Sequence, residues 1–313
     1  MKIGFLFPGQ GSQSIGMGKD LYENYEEVRE VYQKVKELTG IDVAEMTFNG
    51  KEEILNETKN TQLAILTMSL AILAVLKQHD IQAEVSAGLS LGEYSALINS
   101  QAISFEEGVK LVQKRGEYMQ ELVPEGEWLM AAIMGMSEEQ VQEVCQKVTN
   151  GFVVPANFNT IGQIAISGEK EAVEQAEVIA KELGAKKVRV LKTAGPFHTE
   201  KLTKASEALR KELVNITIHD FESAVVKNLD GAVYSKEDDV RDILAKHIVS
   251  PVKFSKSLVT MLDQGVDTFI EIGPGRTLSG FVKRLDTDKE VTILNVNNVE
   301  TLEKVLDGDI DCR

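Results

Sequence analysis

A chain of 313 residues, 43% hydrophobic and 27% charged, has material for one large domain or one domain with an insertion, and its composition excludes a disordered or fibrous protein. Its 34 basic residues are outnumbered by 49 acidic ones, and the formal charge of −15 opposes sequence-independent binding to nucleic acid or adsorption to an anionic membrane. Two cysteines, Cys145 and Cys312, are too few for a disulfide framework or a cysteine zinc site.

The N-terminal apolar run is too short for a signal-peptide core and reads as a buried strand, Ile3–Phe7, ending in a Pro-Gly-Gln-Gly turn. Helices are expected over 21–38 and, unusually apolar, over 61–77. A very short strand, 85–87, precedes Gly88, and residues 92–99 and 105–122 read as helices. The texture changes at Pro124-Glu125-Gly126. From there the pattern is strand 128–134, helix 137–147, strand 151–154, strand 163–167, helix 170–183 and strand 186–191. That β-α-β-β-α-β order is the split-βαβ, ferredoxin-like plan, so a subdomain inserted at 126–193 is expected. The α/β texture then resumes: helix 199–213, a strand near 224–227, helices 237–247 and 254–263, strand 268–272 and a helix reaching about Arg284. No run approaches about 18 uninterrupted apolar residues, so no membrane span and a cytoplasmic setting are expected.

Gly88-Leu89-Ser90-Leu91-Gly92 is the only G-x-S-x-G in the sequence. Placed between a short strand and a helix, it has the form of a nucleophile elbow: the glycines permit a sharp turn that pushes the serine oxygen outward. The amide of Leu91, at the start of the helix, is then available to a developing oxyanion. The plainer reading is a serine N-cap on a buried helix.

A serine nucleophile needs a base. Of four histidines, His79 and His219 lie in polar surroundings. His198 precedes a predicted helix whose N-terminal field would hold the imidazole neutral. His247, on the last turn of another helix, competes with it. Arg115 falls on the apolar stripe of the 105–122 helix, with Gly108, Val112, Met119 and Leu122. A cation there must snorkel, pair with a structural carboxylate or clamp an anionic substrate, for which its forked donors are suited. The Gly9-Gln10-Gly11 turn resembles part of a dinucleotide fingerprint over residues 3–18, but Ser14 stands where the third glycine belongs. Alternatively, the turn presents the Gln10 amide to a cleft.

Taken together, FPGQGSQ (7–13), NTQLAIL (60–66), GLSLGEYSAL (88–97), QKRGEYMQ (113–120), NFNTIGQIAISG (157–168), GPFHT (195–199), SPVKF (250–254) and EIGPGRTLSG (271–280) resemble the malonyl-CoA:acyl carrier protein transacylases of fatty acid synthesis. The resemblance covers essentially the whole chain. It implies an α/β-hydrolase-like catalytic subdomain, residues 1–125 and 194–313, carrying a ferredoxin-like one, 126–193. It further implies ping-pong transfer from malonyl-CoA to acyl carrier protein, without cofactor or metal. Ser90 would be the nucleophile, His198 the base and Arg115 the partner of the malonyl carboxylate. The amides of Gln10 and Leu91 would form the oxyanion hole, with Gln62, Asn159 and Phe197 around the substrate. His198 would be oriented by a main-chain carbonyl at His247, where relatives often carry Gln. Leu89 and Leu63 also depart from the family pattern, which often has His and Pro there. An acidic carrier protein would need local cations, and the candidates are Lys186, Lys187 and Arg189 on one side and Lys283 and Arg284 on the other. A serine thioesterase or hydrolase using the same Ser90 and His198 is the competing class, with a nucleotide-binding protein behind it.

Overall fold

The structure is a computed structural model and describes residues 1–193 and 195–308. Cys312 lies outside the described residues. The chain opens with β1 (Ile3–Phe7), all five residues of which are buried. Helices α1 (Lys19–Asn24), α2 (Glu26–Thr39), α3 (Val43–Phe48), α4 (Glu52–Leu55) and α5 (Thr58–Gln78) follow before β2 (Val85–Gly88), α6 (Gly92–Asn99) and α7 (Phe105–Glu121). Next come β3 (Trp128–Met134), α8 (Glu138–Lys147), β4 (Val153–Thr160), β5 (Gln163–Glu169), α9 (Lys170–Glu182) and β6 (Lys187–Val190). After a short 3-10 turn at Glu200–Leu202 the chain runs through α10 (Thr203–Leu213), β7 (Ala224–Val226), α11 (Val240–His247), α12 (Phe254–Asp263), β8 (Thr268–Ile272), α13 (Thr277–Val282), β9 (Thr292–Val296) and α14 (Val299–Leu306).

Two sheets organise these elements. A five-stranded parallel sheet has the order β7-β2-β1-β8-β9, with β1 at its centre. Strands covered on both faces read as continuous apolar runs, as β1 does; β8 is equally buried but carries Glu271, whose carboxylate accepts from the Leu278 and Ser279 amides. Helix α5 is apolar on nearly every side because it is walled in: 83% of its most apolar stretch, long enough in principle to cross a membrane, is buried inside the fold. The second sheet is antiparallel, of order β4-β5-β3-β6, with α8 and α9 packed on one face around Ile133, Ile164, Ile166, Val141 and Val173. Its opposite face, carrying Met130, Ala132, Met134 and Ala165, turns toward the ends of the parallel strands and closes a cleft there.

Some boundaries differ from the sequence expectation, for physical reasons. The helix expected over 21–38 breaks at Tyr25, which is extended (φ −121°, ψ 128°) and serves as C-cap of α1 and N-cap of α2. Strand β4 continues past Val154 to Thr160 through Pro155, Asn157 and Asn159, residues that local propensity counts against a strand; two bulges absorb them. Asn157 also bridges in parallel to Val252, so the antiparallel sheet is tied there to the segment between α11 and α12. Helix α11 starts later than expected, where the Asp239 carboxylate accepts from the Arg241 and Asp242 amides. The terminal unit β9-α14 went unread, although its strand pairs in full register with β8.

The first turn does not suit a dinucleotide. No helix follows β1 directly: residues 8–18 are turns, and the first helix begins only at Lys19. There is therefore no helix N-terminus at the Gly-x-Gly turn to receive a pyrophosphate.

Candidate active site

The elbow forms where β2 ends. Gly88 is a steric necessity, since a Cβ there would lie 1.9 Å from the Gly92 carbonyl carbon. Gly92 is equally constrained, because its Cβ would come within 2.0 Å of the Phe7 carbonyl oxygen at the end of β1. Between them Ser90 takes a left-handed conformation, φ 52°, which an L side chain adopts only when its surroundings compel it. A Cβ on Gly9 would meet the Leu89 carbonyl oxygen at 2.4 Å, so the Gln10 turn packs backbone to backbone against the elbow. That approach sets the Gln10 main chain beside the N-terminus of α6, where Leu91 is the N-cap residue. The Leu91 side chain itself is buried in the core.

Ser90 Oγ lies 2.8 Å from His198 Nε2, and His198 Nδ1 lies 3.0 Å from the main-chain oxygen of His247. The tautomer that fits carries the proton on Nδ1, donating to that carbonyl and leaving Nε2 free to accept from the serine. His198 itself has φ 59° and sits in a turn, ahead of the 3-10 segment rather than at the mouth of an α-helix. Its neutrality thus has a different cause from the one expected. Burial is the largest, the nearby Arg115 charge is next, and together they depress its pKa to about 4 against the opposing pull of the His247 and Ser250 main chains. The competition between the two histidines is resolved by the same contacts: the His247 ring, fully buried, has neither nitrogen hydrogen-bonded and stacks on His198 at 4.9 Å between centroids. Its main chain, not its side chain, reaches the site.

Arg115 is 1% exposed and makes no ion pair among the described residues. Its Nη1 donates to Gln62 Oε1 at 2.7 Å and its Nη2 to Ser90 Oγ at 3.1 Å, both neutral partners, and its Nε has no acceptor. The Tyr94 ring lies 5.2 Å from the guanidinium carbon. No carboxylate touches Arg115, although the charge of buried Glu93 reaches it, and the cation faces Ser90 Oγ instead of snorkelling.

A cleft of about 400 Å³ opens above Ser90, lined by Gln10, His198, Phe197, Asn159, Met130 and Phe281 among others. Asn159 Oδ1 is buried there without a hydrogen-bond partner. Leu89 also lines the cleft, whereas Leu63 is buried within α5. The basic segments converge on one rim. Lys187 pairs with Met134 and Arg189 with Ala132 across β3, on the cleft-facing side of the sheet. Arg284 reaches the same edge, donating to Gln163 Oε1 at 2.7 Å, and Gln163 pairs with Met134. Lys186 lies apart, its stem packed over Gly135. Lys283 is exposed at the C-terminus of α13.

Sequence reasoning missed Asn228 and gave Glu93 no role. Asn228 Oδ1 accepts from the Ser90 amide at 2.7 Å, and its Nδ2 donates to the Gly88 carbonyl at 2.6 Å. Asn228 sits just after the three-residue β7, with no motif around it to mark it. Glu93 directly follows the elbow motif, in the first turn of α6. It is wholly buried, and desolvation lifts its pKa to about 7 despite bonds from Tyr234 and Asn228. Among the described residues no group of three His, Cys, Asp or Glu side chains is placed to hold a metal.

Residues 4–300 match the acyl transferase domain family, which sets the class: this is an acyltransferase. The malonyl CoA-acyl carrier protein transacylase of Bacillus subtilis is 43% identical over 304 residues, spanning 96% of this chain and 95% of that protein. A crystal structure of the Clostridium perfringens malonyl CoA-acyl carrier protein transacylase is 46% identical, with a TM-score of 0.93 over 98% of this chain and 97% of that one. A malonyl-transacylase solved in complex with a type II polyketide acyl-carrier protein gives 0.94 at 35% identity, covering 98% and 100% of the two chains. The chain belongs to the malonyl CoA-acyl carrier protein transacylase family.

Proposed function

We propose that this protein moves a malonyl group from malonyl-CoA to the phosphopantetheine thiol of an acyl carrier protein, supplying fatty acid elongation, through a malonyl ester on Ser90. The observation that carries the reading is Arg115, a buried cation without an acidic partner, 3.1 Å from Ser90 Oγ. Leaving such a charge unpaired is costly, and a substrate that brings a carboxylate to it removes the cost. The printed names of the relatives, and the acyl-carrier protein held by one of them, support the donor and acceptor.

In this reading His198 Nε2 takes the Ser90 proton as Oγ attacks the thioester carbonyl. The amides of Gln10 and Leu91 receive the oxyanion. The coenzyme A sulfur leaves with the proton held on His198, giving free thiol and malonyl-Ser90. In the second half-reaction His198 deprotonates the carrier thiol, which attacks the ester and returns Ser90 to the hydroxyl form. Exchange of one thioester for another is nearly isoenergetic, so the chemistry calls for no cofactor. Gln62 holds Arg115 in line, while Asn159 and Phe197 shape the acyl pocket. Residues 126–193 act as the small subdomain forming one wall of the cleft, and the setting is cytoplasmic. Lys187, Arg189 and Arg284 on the rim, with Lys186 and Lys283 farther out, receive the acidic carrier.

Intact-mass spectrometry after mixing with malonyl-CoA tests this reading. A malonyl adduct should appear, be absent in Ser90→Ala, and discharge onto added carrier protein much faster than into water. Discharge to water at the same rate would instead mark a hydrolase.

A further inference from the structure

We propose that Asn228 is a positioning residue for the nucleophile, clamping the backbone that enters Ser90 on both sides of Leu89, and that Glu93 and Tyr234 hold the clamp. The side-chain amide uses both ends: Oδ1 accepts the Ser90 N–H at 2.7 Å while Nδ2 donates to the Gly88 carbonyl at 2.6 Å. These two bonds span Leu89 and fix the entry to the turn in which Ser90 is held at φ 52°. Without them the elbow can relax toward ordinary backbone angles and swing Oγ away from His198 Nε2. Asn228 does not line the substrate cleft, so any effect on the reaction passes through Ser90.

The clamp is itself anchored. The Asn228 main-chain N–H donates to Glu93 Oε2 at 3.0 Å, and the Tyr234 hydroxyl donates to Glu93 Oε1 at 2.6 Å. Glu93 Oε2 also lies 3.6 Å from His247 Nδ1, on the residue whose carbonyl orients His198. One buried carboxylate thus touches the supports of both the nucleophile and the base. Asparagine is the side chain this geometry requires, since it carries an acceptor and a donor on one short planar group. Aspartate offers the donor only when protonated.

The inference rests on Ser90 being the acyl-accepting group, so two readouts are used. Malonyl loading is followed by intact mass, and Ser90 reactivity by labelling with a fluorophosphonate, which needs no malonyl recognition. Asn228→Ala should slow both by about 100-fold, the scale on which a 1 Å misplacement acts, with KM for malonyl-CoA unchanged. Unchanged rates, or a raised KM at unchanged kcat, would overturn the proposal. Asn228→Asp supplies a pH signature: relative to wild type, its two rates should fall as pH rises from about 5 to about 8, because the new buried carboxyl ionises and repels the Gly88 carbonyl. The other titratable and charged groups about position 228 are Glu93 on α6, whose pKa of about 7 falls within this range, Tyr234, Lys227 with its partners Asp230 and Asp238, and His247 and Arg115 beside Glu93; all are common to both proteins, so the difference between the two profiles is the readout. A profile parallel to wild type would sink the idea, and this measurement decides alone if Asn228→Ala does not fold. Wild type that labels with fluorophosphonate yet gains no malonyl would defeat the malonyl reading while leaving the labelling comparison decisive for Asn228.

Discussion

Arg115 Nη2 donates to Ser90 Oγ at 3.1 Å, so a cation on the buried stripe of α7 rests directly against the serine of the elbow. That contact joins two elements from opposite sides of the site and gives the charge two functions. It depresses the pKa of His198, keeping the base neutral, and it offers forked donors to whatever acid enters the cleft.

Replacing Arg115 separates these functions. Arg115→Ala should lower malonyl loading of Ser90 by about 100- to 1000-fold, the range for truncating one partner of a buried charged pair. Acetyl-CoA and other uncharged thioesters should load as well as before or better. Competition between malonyl-CoA and acetyl-CoA, scored by the mass of the adduct, checks this, and unaltered malonyl preference would dismiss the clamp.

The pH dependence of loading follows from His198. Its pKa of about 4 lies below the ordinary imidazole value, so the ring stays unprotonated through the neutral range. Loading should be level from about pH 8 down to about pH 5, then fall as the ring protonates on further acidification. Rapid-mixing single turnovers on the folded enzyme provide the profile. An inflection near the free-imidazole value would mean that Arg115 and burial do not govern the base.

His247 contributes a main-chain carbonyl, and neither ring nitrogen is hydrogen-bonded, Glu93 Oε2 lying 3.6 Å from Nδ1. His247→Gln should therefore keep kcat within about threefold of wild type, a barrier change under about 0.7 kcal/mol. By contrast, His198→Gln removes the base and should cost about 100- to 10,000-fold. Similar large losses in both variants would show that the His247 ring takes part in the chemistry.

The rim cations predict a split between half-reactions. Charge reversal at Arg189 or Arg284 should raise KM for acyl carrier protein about tenfold, increasingly at low ionic strength, and leave the rate of malonyl loading as it was. Steady-state kinetics varying each substrate in turn would reveal it, and an equal effect on both would remove the docking role. Lys186, packed over Gly135, should matter less than Lys187.

Much of this molecule is readable from local rules, and the exceptions are instructive. Alternating apolar strands and amphipathic helices, and the β-α-β-β-α-β run between Trp128 and Val190, follow from residue patterns a few positions long. Strand β4 runs on to Thr160 although Pro155, Asn157 and Asn159 contradict strand propensity, because pairing with β5 and the bridge to Val252 override it. The helix break at Tyr25 has no glycine or proline to announce it.

The site divides along the same line. The elbow is a local steric demand, so Gly88, Ser90 and Gly92 declare it within five residues of sequence. The odd placement of Arg115 on an apolar stripe is likewise visible in helical periodicity. Which histidine serves Ser90, why it stays neutral, and which groups hold the elbow depend on contacts between residues far apart in the chain. Asn228 lies 138 positions from Ser90, and His198 lies 108. No local pattern encodes such a meeting. Even the −15 of the whole chain says little of its cleft, because burial and neighbours within a few ångströms set the field there. Tertiary structure alone gathered Arg115 at the nucleophile and Lys187, Arg189 and Arg284 along one rim of an otherwise acidic protein.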